Sequence, residues 1–258
     1  MSEDLVDKVM AEVMKKVSPR LGEGALSAQP AVTEFVGTNR LGDSIGLVIA
    51  NVDSDLLAMM KLEREYKSLG ILGARTGAGP QIFAADEAVK ATNAEVLSIE
   101  MARDTKGGAG HGSLVVFGAE DVSDARRAVE VALTELDRTF GDIYANDAGH
   151  LEFQYTARAS YALQKAFGAP LGKAFGITVG APAAIGVVLA DTAVKASTID
   201  LIGYSSPARG TSLTNEVIAA FSGDSGAVRQ AIIAAREVGM PLLAALGTQP
   251  ESASTPYI

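Results

Sequence analysis

The chain has 258 residues, with 22 Lys and Arg against 31 Asp and Glu for a formal charge of −9, 48% hydrophobic residues, and neither Cys nor Trp. The acidic balance argues against a nucleic-acid groove, whose affinity comes mainly from neutralising phosphates, and the missing Trp argues against a base-stacking platform. Without cysteine there is no disulfide scaffold; with no signal-peptide pattern a reducing cytosol is expected, and no apolar run reaches the roughly 18 residues of a membrane helix.

Along the chain, Val6, Val9, Met10, Val13, Met14 and Val17 recur at three- and four-residue spacing, which predicts an amphipathic helix over residues 1–18. At this length it is marginal alone in water and needs a partner surface. Residues 19–42 read as a linker, with two prolines, three glycines and no clear periodicity across residues 18–38. A first unit, 43–147, follows: strand Ser44–Ala50, a short helix capped by Asp53, strand Leu69–Leu72, helix Ala84–Thr92, strands Val96–Ile99 and Ser113–Phe117, and a helix capped by Ser123 with Ala125, Ala128, Val129, Ala132, Leu133 and Leu136 on one face. A second unit, 148–258, runs the same course: strands Leu151–Ala157 and Phe175–Val179, helix Ala190–Ser197, strands Leu201–Tyr204 and Val217–Phe221, helix Ala227–Val238. Elements of these lengths predict an α/β fold built as an α+β sandwich, not a long parallel sheet.

The two units are copies. Ala85-Asp86-Glu87-Ala88-Val89-Lys90-Ala91 returns as Ala190-Asp191-Thr192-Ala193-Val194-Lys195-Ala196, an offset of 105. Lys67, Gly70 and Ile71 match Lys173, Gly176 and Ile177, and Ala125-Arg126-Arg127-Ala128 parallels Val228-Arg229-Gln230-Ala231. The period exceeds that of solenoid repeats, roughly 20–50 residues, and is that of a whole domain. Two like domains point to pseudo-symmetric assembly before catalysis.

Few motifs suggest chemistry. Gly223-Asp224-Ser225-Gly226 resembles a serine-nucleophile segment, but it lies at a strand-to-helix turn where Asp224 or Ser225 serves as a cap, and neither His111 nor His150 has a triad context. The glycine-rich loop containing Lys106, Gly107, Gly108, Gly110 and His111 lacks a P-loop ending. Its counterpart contains Ser205, Ser206, Pro207, Arg209 and Gly210. Equivalent loops of the two halves fall around a common axis if the chain assembles as a ring, which suits a pore lining. The absence of cysteines and of ligand spacing between the histidines argues against a metal site. Lys90 and Lys195, each in Ala-Asp-x-Ala-x-Lys-Ala, suggest a shared contact role.

These segments resemble the bacterial microcompartment shell proteins. Leu189-Ala190-Asp191 through Tyr204, and Gly223-Asp224-Ser225-Gly226-Ala227-Val228, match that family's domain closely, while Gly118-Ala119-Glu120-Asp121 matches it loosely. A strand and helix ahead of the main motif in each unit, at 44–62 and 151–167, resemble the circularly permuted, tandem-domain branch. So do Ala74-Arg75-Thr76-Gly77-Ala78-Gly79-Pro80, Arg138-Thr139-Phe140-Gly141-Asp142 and Tyr204-Ser205-Ser206-Pro207. The resemblance implies a homotrimer whose six domains mimic a hexamer, tiling with other shell proteins into facets of a shell in the bacterial cytoplasm. It implies no enzyme activity and no cofactor. It places Lys90 and Lys195 at tile edges, residues 106–112 and 205–211 as pore loops passing a small polar metabolite such as 1,2-propanediol, and residues 1–18 as a tether to encapsulated enzymes. A small-molecule pocket between the domains would fall at Thr76, Gly77, Asn146 and Asp147. The alternative is a small-molecule-binding enzyme or sensor using Asp147, His111 or Arg75 in such a pocket.

Overall fold

In the computed structural model, residues 32–102, 112–210 and 214–258 are described, and the chain from Glu34 to Ile258 is one compact unit. The first half runs β1 (Phe35–Asn39), β2 (Ser44–Ile49), α1 (Ser54–Met60), β3 (Ser68–Ala74), α2 (Gly79–Ala91), β4 (Glu95–Ala102), β5 (Gly112–Ala119) and α3 (Val122–Thr139). The second runs β6 (Ile143–Asn146), β7 (Gly149–Thr156), α4 (Tyr161–Phe167), β8 (Ala174–Ala181), α5 (Ala183–Ala196), β9 (Ile199–Ser205), β10 (Val217–Gly223), α6 (Ser225–Ala244) and β11 (Glu251–Ser252). Two antiparallel sheets result, ordered β1-β2-β3-β5-β4 and β11-β6-β7-β8-β10-β9. The repeat is therefore structural as well: β2, β3, β5 and β4 correspond to β7, β8, β10 and β9, and the registers agree, Ala74 opposite Ser113 in one sheet and Gly180 opposite Val217 in the other.

Each sheet carries its two long helices on one face. Ala125, Ala128, Val129, Ala132 and Leu136 of α3 are buried, as the apolar stripe requires. Glycines on the strands beneath let the helices come close: a Cβ at Gly70 would meet the Ala125 carbonyl at 2.7 Å, and one at Gly180 would meet Gly186 of α5 at 2.5 Å. Asp53 caps α1 through Asp55 and Leu56 N–H, and Asp224 caps α6 through Gly226 N–H, so Gly223–Gly226 is a helix start.

Several elements differ from their sequence reading. Residues 35–39, within the segment read as linker, form β1, paired with β2. Helix α2 begins at Gly79 because Pro80 suits a first helical turn, and α5 begins at Ala183, before the aligned alanine motif. Helix α3 begins after Asp121, placing Ser123 inside it. Strand β6 belongs to the second sheet although it precedes residue 148.

The halves differ in how their sheets are covered. Strand β8 is buried on both faces from Ala174 to Gly180. Its helix-distal residues Phe175, Ile177 and Val179 pack with Ala78, Ile82 and Phe83 of the first half and with Ala159, Leu163 and Ala169. The Phe175 ring lies between those of Phe83 (5.9 Å) and Phe167 (5.7 Å). Each such buried side chain contributes about 1.5–3 kcal/mol. On β3, the equivalent Ile71 and Gly73 stay partly open.

Candidate functional site

The interdomain junction is cross-braced by carboxylates. Asp86 of α2, fully buried, accepts hydrogen bonds from Ser160 N (2.9 Å) and Leu163 N (3.2 Å), and so caps α4 of the other half; Ser160 makes no side-chain cap of its own. Burial pushes the Asp86 carboxyl above the usual carboxylate range, opposed by Lys90, whose Nζ lies 2.8 Å away. In return, Glu152 of β7 sits against the start of α2, so near Gly79 that a Cβ there would lie 1.9 Å from its Oε1. An anionic group at that end suits the helix dipole.

Moving along the repeat by 105 residues carries the buried Ile82, Phe83 and Val96 onto Val187, Val188 and Leu201, which are 49%, 41% and 50% exposed. The partly buried Ile99 corresponds by strand register to the exposed Tyr204, since Val115 faces Ile99 and its equivalent Ala219 faces Tyr204. The other side of the junction behaves likewise. Helix α4 corresponds to α1, which exposes Leu56 and Met59, and Glu152 and Ile218 correspond to the exposed Ile45 and Leu114. One molecule thus shows both halves of its own internal interface as separate open apolar faces.

The lysines of the repeated motif have different surroundings. Lys90 bonds Asp86, Glu87 Oε1 (2.9 Å) and Thr156 Oγ1 (3.2 Å), and its side chain is 23% exposed. Lys195, 73% exposed, pairs with Asp191 at 2.6 Å. In the second loop, Ser206 and Arg209 close a tight turn by paired backbone bonds of 2.8 and 3.1 Å; Pro207 projects from it, and Gly210 takes φ +67 beside Ser205. Below this loop, buried His150 and Glu216 lie 3.1 Å apart, a pair with no motif in the sequence. Lys106, Gly107, Gly108, Gly110, His111 and residues 1–18 lie outside the described residues.

The four residues expected at a pocket fall in two neighbourhoods. Thr76 and Gly77 pack beside Gly42, Gln81 and Phe140, with the Thr76 carbonyl accepting from Gln81 (3.3 Å). Asn146 instead donates to the carbonyls of Leu243, in the last turn of α6, and Thr248 beyond it, and Asp147 is exposed on the β6–β7 turn.

A cleft of about 510 Å³ that the sequence does not announce opens between the halves, lined by Glu87, Lys90, Glu135, Arg138, Arg158 and Arg229 among others. Its floor is the C-terminal tail. Asp142, fully buried, accepts from Arg236 (2.6 Å), Tyr257 N (2.8 Å) and Ile258 N (3.0 Å), and the Arg138 guanidinium lies 4.8 Å from the Tyr257 ring centre. Burial pushes the Tyr257 hydroxyl up to about 12.

The duplicated antiparallel fold, with its paired loops and matched faces, is that of a tandem shell domain. The BMC-domain pattern matches residues 68–147 and 174–248, and the chain belongs to that family of bacterial microcompartment shell proteins. It is 61% identical to the microcompartment shell protein PduB of Citrobacter freundii over the whole of this chain and 99% of that protein. The crystal structure of a trimeric PduB superposes with a TM-score of 0.86 at 52% identity, covering 88% of this chain and all of that one. EtuB from Clostridium kluyveri gives 0.84 at 56% identity, over 89% of this chain and all of EtuB. Among the described residues, no helix is long and apolar enough to cross a membrane.

Proposed function

We propose that three copies of the chain close head to tail into a ring of six domains, a pseudohexameric tile of a microcompartment shell in the bacterial cytoplasm. The observation that carries this reading is the pair of open faces: α1 with Ile45 and Leu114 on one half, and α5 with Leu201 and Tyr204 on the other, repeat the two sides of the buried junction. An exposed apolar face of this kind marks an interaction surface, and a heterologous contact that closes makes a ring. A trimer is what the similar PduB structure forms.

In this tile, residues 43–147 and 148–258 are the two shell domains. The loops at 106–112 and 205–211 gather at the axis and pass a small polar metabolite, in keeping with propanediol utilisation by the relatives' name. Lys90 and Lys195 lie at edges toward other shell proteins, and residues 1–18 hold encapsulated enzymes to the shell. Support for these assignments is the resemblance of the segments, the exposure of Lys195, and the amphipathic spacing of Val6, Val9, Val13 and Val17.

The ring is tested by two single variants, Leu56→Asp and Leu201→Asp, each spoiling one face. Native mass spectrometry should give a trimer for the wild type and monomers for either variant. An equal mixture of the two should give a heterodimer and nothing larger, through the one intact pair of faces. Homodimers, or trimers that survive both changes, overturn the head-to-tail arrangement. Removal of residues 1–18 should leave trimers intact and release cargo enzymes; unchanged cargo pull-down would reject the tether.

A further inference from the structure

Resting on the ring proposed above, we infer that Asp191 of one copy meets Asp53 of the next, so that two carboxylates face each other across the seam between copies. The duplication carries the argument. Within the chain, the junction of the two halves holds Asp86 against α4: its carboxylate accepts from Ser160 N at 2.9 Å and from Leu163 N at 3.2 Å. Along the repeat, an offset of 105 turns Asp86 into Asp191. Helices α1 and α4 are both seven residues long and start 107 apart, at Ser54 and Tyr161, and the same offset turns Ser160 into Asp53 and Leu163 into Leu56. Closing the open faces as the internal junction closes therefore brings Asp191 of one copy to Asp53 and Leu56 of the next. Asp86 has a side chain 1% exposed and Asp191 one 57% exposed, as expected of a residue still waiting for that cover.

The chemistry at the two junctions differs. At the internal one, Ser160 makes no side-chain cap and the first turn of α4 holds no acid, so Asp86 has these N–H groups to itself. Between copies the place is already taken: Asp53 accepts from Asp55 N at 3.0 Å and Leu56 N at 3.1 Å, and Asp55 adds a second acid to the first turn of α1. The Leu56 N–H is thus claimed twice, by Asp53 within its own copy and by Asp191 from the neighbour. The balance of charge shifts the same way. Lys90 stands against Asp86 and Glu87, whereas Lys195 would stand against Asp191, Asp53 and Asp55, three carboxylates to one ammonium. Like charges that meet across an interface oppose association. The seam between copies is consequently the weaker of two junctions built on one plan, and Asp53→Ser would give it the residue that the internal junction uses.

The test is dissociation of the ring, read by analytical ultracentrifugation over a dilution series in urea below the unfolding transition. Four full-length chains are compared: wild type, Asp53→Ser, Asp191→Ala and the two changes together. Serine still caps α1, so folding of the dissociated chain should be unchanged. Asp53→Ser should tighten the ring at least about ten-fold, because Asp191 then meets N–H groups without an opposing carboxylate. In that background Asp191→Ala should undo the gain, whereas in the wild type it should not loosen the ring, since it removes one of two opposed charges. The gain from Asp53→Ser should shrink in about 0.5 M NaCl, as a repulsion does and a packing change does not. No tightening by Asp53→Ser, or the same effect of Asp191→Ala in both backgrounds, overturns the inference. So does coupling that appears only when tiles assemble into sheets and not in ring dissociation, which would give Asp191 to the outer edge. A chain that forms no trimer overturns the ring itself; trimers without the coupling leave the ring standing and remove this contact alone.

Discussion

Ile82 of α2 and Val187 of α5 hold the same place in the repeat, yet one is 0% exposed and the other 49%. The difference lies in what each helix meets: α2 is covered by α4 and the far face of β8, whereas α5 has no such cover among the described residues. Substitution should separate the two roles. Ile82→Ala is expected to cost about 2–4 kcal/mol of folding stability at any protein concentration, as a buried cavity does. Val187→Asp should leave folding of the isolated chain within about 0.5 kcal/mol and abolish association instead. Denaturant melts combined with mass photometry over a dilution series read both quantities. Equal loss of folding stability in the two variants would contradict the assignment.

Asp86 and Asp191 make a second such pair. Asp86 caps α4 from outside and is buried, while Asp191 is exposed with Lys195 as its ion-pair partner. Asp86→Ala should cost about 1–3 kcal/mol, because it removes two acceptor bonds from α4 and leaves Lys90 short of a partner; Asp191→Ala should cost under about 0.5 kcal/mol in the dissociated chain. The pH dependence has a defined sign. The folded carboxyl of Asp86 titrates above its ordinary 3.8, so the folded chain holds the proton where the unfolded chain has lost it. Its contribution is complete below 3.8 and declines as pH rises through the folded value. Asp86→Asn, which cannot titrate, should remove that segment of the stability profile; an unaltered profile would place the charge elsewhere.

The elements carried by local pattern were readable from the sequence: the stripe of α3, the capped starts of α1 and α6, and strands β2, β3, β5, β7, β8, β9 and β10. What it did not reveal depends on partners distant along the chain. Strand β1 reads as linker because Phe35-Val36-Gly37-Thr38-Asn39 shows little alternation, and it forms only because the edge of β2 is open to it. The cap of α4 was invisible for the same reason: the carboxylate lies 74 residues upstream, and the local Ser160 is idle. The charged cleft draws on α2, α3, β7, α6 and the tail, so no spacing rule collects its arginines. Copying within the chain was the signal that could have found the open faces, by asking which apolar positions of one unit lack a cover in the other.

Gly79 tests the opposite brace. A Cβ at this position would lie 1.9 Å from Glu152 Oε1 and 2.9 Å from its Cδ, so Gly79→Ala must displace a buried carboxylate from the start of α2. A loss of about 2–3 kcal/mol is expected. Gly79→Ala in a Glu152→Ala background should cost clearly less than in the wild type, because the obstructing side chain is gone, and the double-mutant cycle reports that coupling. Additive losses would mean that the clash is relieved by backbone movement and that Glu152 does not press on α2.

Tyr257 makes the tail a determinant of alkaline stability. Its hydroxyl lies 3.1 Å from the Tyr155 carbonyl and 3.5 Å from Gln154 Oε1, and the ring packs beneath Arg138, so ionisation would strand a phenolate in a buried place. The folded value is about 12 against 10.0 for an ordinary tyrosine. Above pH 10 the unfolded chain loses this proton while the folded chain keeps it, so stability is fully present below 10 and falls as pH rises toward 12. The part lost once both states have titrated is about 3 kcal/mol. Tyr257→Phe should lower stability at neutral pH by about 1 kcal/mol, the cost of its hydrogen bonds, and should flatten the decline above pH 10. Chemical denaturation at pH 7, 9, 10 and 11 measures both. A decline of the same steepness in Tyr257→Phe would assign it to other groups, of which Tyr66 and Tyr144, both raised by burial, are the candidates.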